Sequence, residues 1–162
     1  MVEVLVGGLG FLGVNLAEIL VGGGRRVVVV GRRGSEAKRP RITMHIKGLG
    51  VEVKLVDRLT VNLLEGIGGD NYYYLVGAIG GSLGKQREAH VGLLDVVVEA
   101  ASRVGARVIY VSSIGAVGEV VGLKPGSTLY EEEVHLDPAR HRHHSFHEVT
   151  KAEGERLLVS RS

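Results

Sequence analysis

Residues 7–13 read Gly-Gly-Leu-Gly-Phe-Leu-Gly, between a short apolar run, Val2–Val6, and a segment whose Leu12, Leu16, Ile19 and Leu20 recur at helical spacing. No other feature constrains the chain so tightly. Gly7 permits a sharp turn out of a strand, Gly10 lets backbone approach a ligand, and Gly13 lets the following helix pack close to the strand. The N–H groups that open a helix lack partners and lie at the positive end of its dipole, so they favour an anion. The motif therefore predicts a seat for the pyrophosphate of a dinucleotide, with Gly7, Gly10, Phe11, Leu12 and Gly13 as the contacting residues. The helix should stop at Gly22-Gly23-Gly24, and Val27–Val30 reads as a strand covered on both faces. Strand, helix and strand in this spacing make one βαβ unit with a right-handed crossover.

The alternation continues. Val51, Val53 and Leu55 predict a third strand, Leu59, Leu63 and Ile67 a short helix, and Tyr72–Val76 a fourth strand. Leu94, Val97, Val98 and Ala101 mark an amphipathic helix, Arg107–Val111 a fifth strand and Glu148–Val159 the last helix. Residues 115–145, with Pro125-Gly126 and Pro138, read as an irregular excursion. The expectation is one α/β domain over residues 1–162, a doubly wound parallel sheet of Rossmann type with strand order 3-2-1-4-5.

Composition narrows the setting. The chain is 44% hydrophobic with a formal net charge of +2, which describes a folded domain. It has no cysteine, so disulfides and thiolate metal sites are excluded and a cytoplasmic location is expected. No basic leader with a long apolar stretch opens it, and no segment approaches the roughly 18 apolar residues of a membrane span, so no membrane partner is expected. Ten Lys/Arg stand against three acids between Arg25 and Arg58. That stretch has no Phe, Tyr or Trp for base stacking, and the motif before it offers a simpler anionic ligand, so no nucleic-acid partner is expected.

Three later segments are distinctive: Tyr72-Tyr73-Tyr74-Leu75-Val76-Gly77-Ala78, Val98-Glu99-Ala100-Ala101 and Val108-Ile109-Tyr110-Val111-Ser112-Ser113. With the GGxGFxG turn they resemble the extended and atypical short-chain dehydrogenases/reductases, the NAD(P)-dependent epimerase/dehydratase superfamily. The resemblance runs from Met1 to about Leu158. It implies that Asp57 and Arg58 lie at the adenine and that Leu75, Val76 and Gly77 end a strand beside the cofactor. Members that prefer NAD carry an acid where this chain has Gly31, and Arg32-Arg33 follow. Two guanidiniums without a competing carboxylate suit a 2′-phosphate, so NADP(H) is favoured, with NAD(H) as the other possibility.

Family chemistry uses Ser, Tyr and Lys. The Ser orients the substrate oxygen, the Tyr exchanges its proton, and the Lys holds the nicotinamide ribose and lowers the Tyr pKa. Ser113 and Lys151 match; the Tyr position is His147, and an Asn of the preceding helix is replaced by His90. Three outcomes stay open: His147 is the acid/base, Tyr130 or one of Tyr72–Tyr74 reaches in, or proton transfer is lost. The last occurs in atypical relatives, among them NmrA-like regulators and an accessory subunit of respiratory complex I. The spacing of His141, His143, His144 and His147 is not that of a zinc site, and no metal is expected. Glu131-Glu132-Glu133 matches an acidic loop of the family. Extended members continue past the last helix with a sixth strand and a substrate-binding region, whereas residues 1–162 end at that helix, so a fragment, a truncated gene product or a subunit completed by oligomerisation is expected. Their helices corresponding to Leu93–Ser102 and Glu148–Val159 commonly pair in dimers, so a homodimer is expected. The function expected is an NAD(P)-dependent oxidoreductase or nucleotide-sugar epimerase/dehydratase acting on an unidentified small molecule. The alternative is a catalytically impaired NAD(P)-binding sensor or structural subunit.

Overall fold

The structure, a computed structural model, describes residues 1–124, 126–130 and 141–161. Its elements are β1 (Val2–Val6), α1 (Phe11–Gly22), β2 (Arg26–Arg32), α2 (Ser35–Lys38), α3 (Pro40–Gly48), β3 (Glu52–Val56), α4 (Val61–Ile67), β4 (Asn71–Tyr74), α5 (Leu83–Arg87), a π turn (Glu88–Gly92), α6 (Leu93–Val104), β5 (Arg107–Tyr110), a 3-10 turn (Ile114–Ala116), β6 (Glu119–Val120), β7 (His141–Arg142) and α7 (Phe146–Arg161). They fall into two compact units, Met1–Gly77 with Gly92–Val111, and Ala78–Val91 with Ser112–Ser162.

The first unit is a five-stranded sheet of order β3-β2-β1-β4-β5, parallel throughout, as the alternation predicts. Successive side chains of a strand point to opposite faces. Leu5, Val27 and Val29 accordingly gather with Leu9, Ala17, Ile46 and Val51 into one buried cluster, with Val14 and Leu16 of α1 and Ile42 of α3 packed on it. Beyond the sheet, α4 and α6 pack on each other, and α6 also on β4 and β5. Tyr72 is fully buried, and its hydroxyl donates to the Leu64 carbonyl at 2.8 Å and accepts from the Gly69 amide at 3.2 Å.

Two departures matter. The fourth strand ends at Tyr74, two residues before the predicted end, although the Leu75 amide still donates to the Val6 carbonyl at 2.9 Å. The basic stretch after β2 folds into α2 and α3. Pro40 opens α3, and Thr43 and Ile46, three apart, are its buried residues; so few apolar positions among charges gave no visible period.

The second unit is built on α7, which packs against α5 and the 3-10 turn. Within the predicted irregular excursion lie that turn and an antiparallel pairing, Glu119↔Arg142 and Val120↔His141. Pro125, Pro138 and Glu131–Glu133 lie outside the described residues. Among the described residues, no helix is long and apolar enough to cross a membrane.

Candidate functional site

In the first unit the turn from β1 to α1 divides its glycines into two kinds. Gly7 has φ of +82°, and a Cβ there would stand 2.9 Å from Val76 Cγ2. A Cβ on Gly13 would lie 2.0 Å from the Gly8 carbonyl oxygen, so that helix and turn could not approach as they do. Gly8, which sequence reasoning left without a role, is equally constrained: its Cβ would meet Leu5 Cβ at 2.9 Å. Gly10 differs. A Cβ there would find only the Gly7 carbonyl oxygen, at 3.9 Å. Gly10 is also the N-cap of α1, with no side chain capping it. The first-turn N–H groups of a helix are thus left beside open space, which fits a phosphate anion. Phe11 is 80% exposed and Leu12 54%, so both are available to a ligand.

Arg32 ends β2 and Arg33 follows it; both are exposed, but they are not equivalent. Arg33 Nε donates to Asp57 Oδ1 at 2.9 Å, so two of the residues assigned to the cofactor hold each other. Arg32 makes no ion pair among the described residues. Gly31 is buried, and a Cβ on it would stand 3.1 Å from Leu9 Cδ1 and 3.2 Å from Ser35 Oγ, so the acid of NAD-preferring members has no room without a shift. Arg58 is exposed; Leu75 and Val76 are half-buried, and Gly77 exposed, after β4. Arg39, one of the ten basic residues between Arg25 and Arg58, reaches back to the glycine turn and donates from Nη1 to the Leu9 carbonyl at 3.1 Å. Its signal was its place in the basic stretch, but without α2 and α3 the reach could not be seen.

The second unit gathers Ser113, His147 and Lys151 around α7. Ser113 caps the 3-10 turn, its Oγ accepting from the Gly115 amide at 3.2 Å. Gly115 sits so close to α7 that a Cβ on it would lie 2.8 Å from Glu148 Cγ. His147 and Lys151, four apart, share a face of α7. Lys151 is only 4% exposed, and burial holds its ammonium below the usual lysine range, with Glu155 opposing. Glu155 in turn accepts from the Ser112 hydroxyl. His147 Nδ1 lies 3.2 Å from the Ala78 carbonyl oxygen, and its ring meets that of His90 edge-on, with centroids 5.1 Å apart. His90 is fully buried, bonded to Thr150 Oγ1 at 2.7 Å and to the Ala78 amide at 3.0 Å. Burial above all, then the charges of Lys151 and His147, push its pKa from 6.5 to about 4.

The start of α7 carries a local sequence signature. Ser145-Phe146-His147-Glu148 has the spacing of a capping box: Ser145 Oγ accepts from the Glu148 amide at 3.2 Å, while Glu148 Oε2 accepts from the His144 amide at 2.6 Å. The other histidines of the cluster hold the chain locally. His141 Nδ1 donates to the Val117 carbonyl at 2.8 Å, His143 Nε2 to the Ala116 carbonyl at 2.9 Å, and His144 Nε2 pairs with Glu119 at 3.1 Å. Among the described residues no group of three or more His, Asp or Glu is arranged around a metal position. Of the tyrosines at 72–74, Tyr72 and Tyr74 are fully buried in the first unit's core, and Tyr73 lies beside Glu3. Tyr130 is 62% exposed.

A family model described as the NAD dependent epimerase/dehydratase family matches residues 4–162. No curated protein matches in sequence. Among solved structures, UDP-glucose 4-epimerase from Thermotoga maritima with UDP-glucose superposes with a TM-score of 0.72 at 18% identity, covering 99% of this chain and 51% of that one. UDP-glucose 4-epimerase from Brucella ovis in complex with NAD gives 0.71 at 19%, covering 98% and 47%. A UDP-galactose 4-epimerase gives 0.67 at 26%, covering 99% and 51%. The chain thus spans about half the length of these solved proteins.

Proposed function

Since the chain belongs to the NAD dependent epimerase/dehydratase family, we propose that it binds a nicotinamide dinucleotide at residues 7–13 and serves redox chemistry at a hydroxyl-bearing carbon of a nucleotide-activated sugar. The observation that carries this reading is Gly10, an uncapped helix start with open space where a side chain would be. When bound, the nicotinamide supplies the hydride acceptor and donor. The chain's own residues do the rest. The Gly10 turn and the amides of Phe11 and Leu12 would hold the pyrophosphate, and the Ser113 hydroxyl, whose oxygen already accepts from Gly115, would donate to the substrate oxygen. His147 takes and returns the proton of that oxygen. Lys151, buried on α7 with Glu155 as its opposing charge, would hold the nicotinamide ribose.

NADP(H) is the proposed coenzyme, because Gly31 offers no carboxylate and Arg32 is the guanidinium left for a 2′-phosphate while Arg33 serves Asp57. Titrating the chain with NADPH and NADH tests both points. Tighter binding of NADPH is expected, and Arg32→Ala should lower that preference by roughly tenfold, the loss of one charge-assisted hydrogen bond, while Arg33→Ala changes it less. Failure to bind either coenzyme at millimolar concentration sinks the proposal.

One observation favours a second reading: an imidazole, shorter than a phenol, stands in the Tyr position. On that reading the chain binds coenzyme without turnover, as a sensor or structural subunit. Hydride exchange with NADPH across a panel of carbonyl compounds separates the two, and His147→Tyr should raise the rate if the phenol alone is missing. The homodimer expected from the family's helix pairing belongs to the first reading; a monomer mass in analytical ultracentrifugation at micromolar concentration removes it.

A further inference from the structure

His90 occupies the middle of the π turn Glu88–Gly92, a rare wide turn of the kind found at functional sites, and is 0% exposed. A buried imidazole must satisfy both nitrogens, and its partners determine which one carries the proton. The Ala78 amide is solely a donor, so His90 Nε2, 3.0 Å away, is the acceptor. Thr150 Oγ1 lies 2.7 Å from the Phe146 carbonyl, which can only accept. The hydroxyl hydrogen therefore points there, and Oγ1 accepts from His90 Nδ1 at 2.7 Å. The other polar group of Ala78, its carbonyl, faces His147 Nδ1 at 3.2 Å and can only accept, so that nitrogen carries a proton. Ala78 is gripped on both sides: its N–H by one histidine, its C=O by the other. The ring of contacts closes through α7, because Thr150, three residues after His147, anchors His90.

We propose that His90 is a positioning residue: by accepting the Ala78 amide proton and bonding Thr150, it fixes the Ala78 carbonyl against Nδ1 of His147 and leaves Nε2 as that imidazole's single atom for proton exchange. This rests on the reading of His147 as the proton-exchanging group. Gaining a proton at Nε2 leaves the bond from Nδ1 to Ala78 intact, so the ring need not turn over during a cycle. A protonated His90 would oppose an N–H to the Ala78 amide and add a cation beside Lys151 and His147; its lowered pKa fits a ring kept neutral.

Long-range proton–nitrogen correlation spectra of the full chain, labelled with ¹⁵N-histidine and recorded at pH 7.5, read the tautomers directly. The expected result is the Nδ1–H form for both His90 and His147, the form that is in the minority for free imidazole side chains. Gln at position 90 can place an acceptor near where Nε2 stood, whereas Asn reaches only as far as Nδ1. H90Q should therefore keep His147 in the Nδ1–H form, and H90N should return most of it to Nε2–H. The proposal is overturned if His147 carries its proton on Nε2 in the unmodified chain, if H90N leaves its tautomer unchanged, or if H90Q behaves as H90N does. The spectrum of the unmodified chain decides the first point whether or not the variants fold. The readout needs no substrate: an unchanged hydride-exchange rate in His147→Ala would sink the catalytic reading and leave the tautomers standing, while Nε2–H signals would sink the clamp alone.

Discussion

At the scale of single residues, glycines that look alike in the sequence do different jobs. Gly13→Ala forces a Cβ to within 2.0 Å of the Gly8 carbonyl oxygen, a backbone atom that cannot swing aside. It should destabilise the fold by about 1–3 kcal/mol or more, as overpacking does, read as a lower denaturant midpoint. Gly10→Ala meets only the Gly7 carbonyl oxygen at 3.9 Å. It should leave the midpoint nearly unchanged and weaken coenzyme binding in a fluorescence titration, because the new methyl occupies the space proposed for the phosphate. Equal loss of stability in both variants would show that Gly10 serves packing. The arginines make the same point. Arg32 and Arg33 are adjacent, but the reach of Asp57 across from β3 sets Arg33 apart; an exposed pair of this kind adds at most about 1 kcal/mol to stability and still decides which guanidinium is available.

At the scale of elements, the start of α7 positions the residues proposed for the chemistry. The Ser145–Glu148 capping box sets where the helix begins, and so places His147 in its first turn and Lys151 one turn on. Ser145→Ala should lower stability by about 1 kcal/mol and, by fraying that turn, reduce hydride exchange more than coenzyme affinity. An unchanged rate would remove the helix start from the mechanism. The β6–β7 pair acts on the other side of the same unit: the His141 and His143 rings hold the carbonyls of Val117 and Ala116, in and just after the turn that Ser113 caps. His143→Ala should therefore loosen that turn, seen as faster amide hydrogen exchange at Ala116–Gly118, while α1 and its glycine turn keep their protection.

At the scale of the whole molecule, burial of His90 links stability to pH. Its folded pKa of about 4 lies below the 6.5 of an exposed imidazole, with Lys151 and His147 the charged neighbours that add to burial. Above pH 6.5 neither folded nor unfolded chain binds this proton; as pH falls toward 4 only the unfolded chain does, and stability drops. The loss is about 3 kcal/mol at most. The difference in unfolding free energy between pH 7.5 and 4.5 should accordingly shrink in His90→Gln, which has nothing to titrate; an identical difference would show that carboxylates alone set the acid limb. The sheet order was legible from the sequence because apolar periodicity and the glycine turn are local, and a strand such as Val27–Val30 announces itself whatever surrounds it. The tight turn at Gly7 and the close approach at Gly13 were legible for the same reason, whereas Gly10, Ser113 and Lys151 carry roles proposed from the motif and from likeness to the family. What the tertiary structure alone decided are contacts between distant residues: Arg39 on the glycine turn 30 positions away, Thr150 on His90 60 away, and His147 on Ala78 69 away. Such partners leave no periodic trace, because a hydrogen bond depends on where two atoms end up in space, and that is fixed only when the elements within each unit have packed.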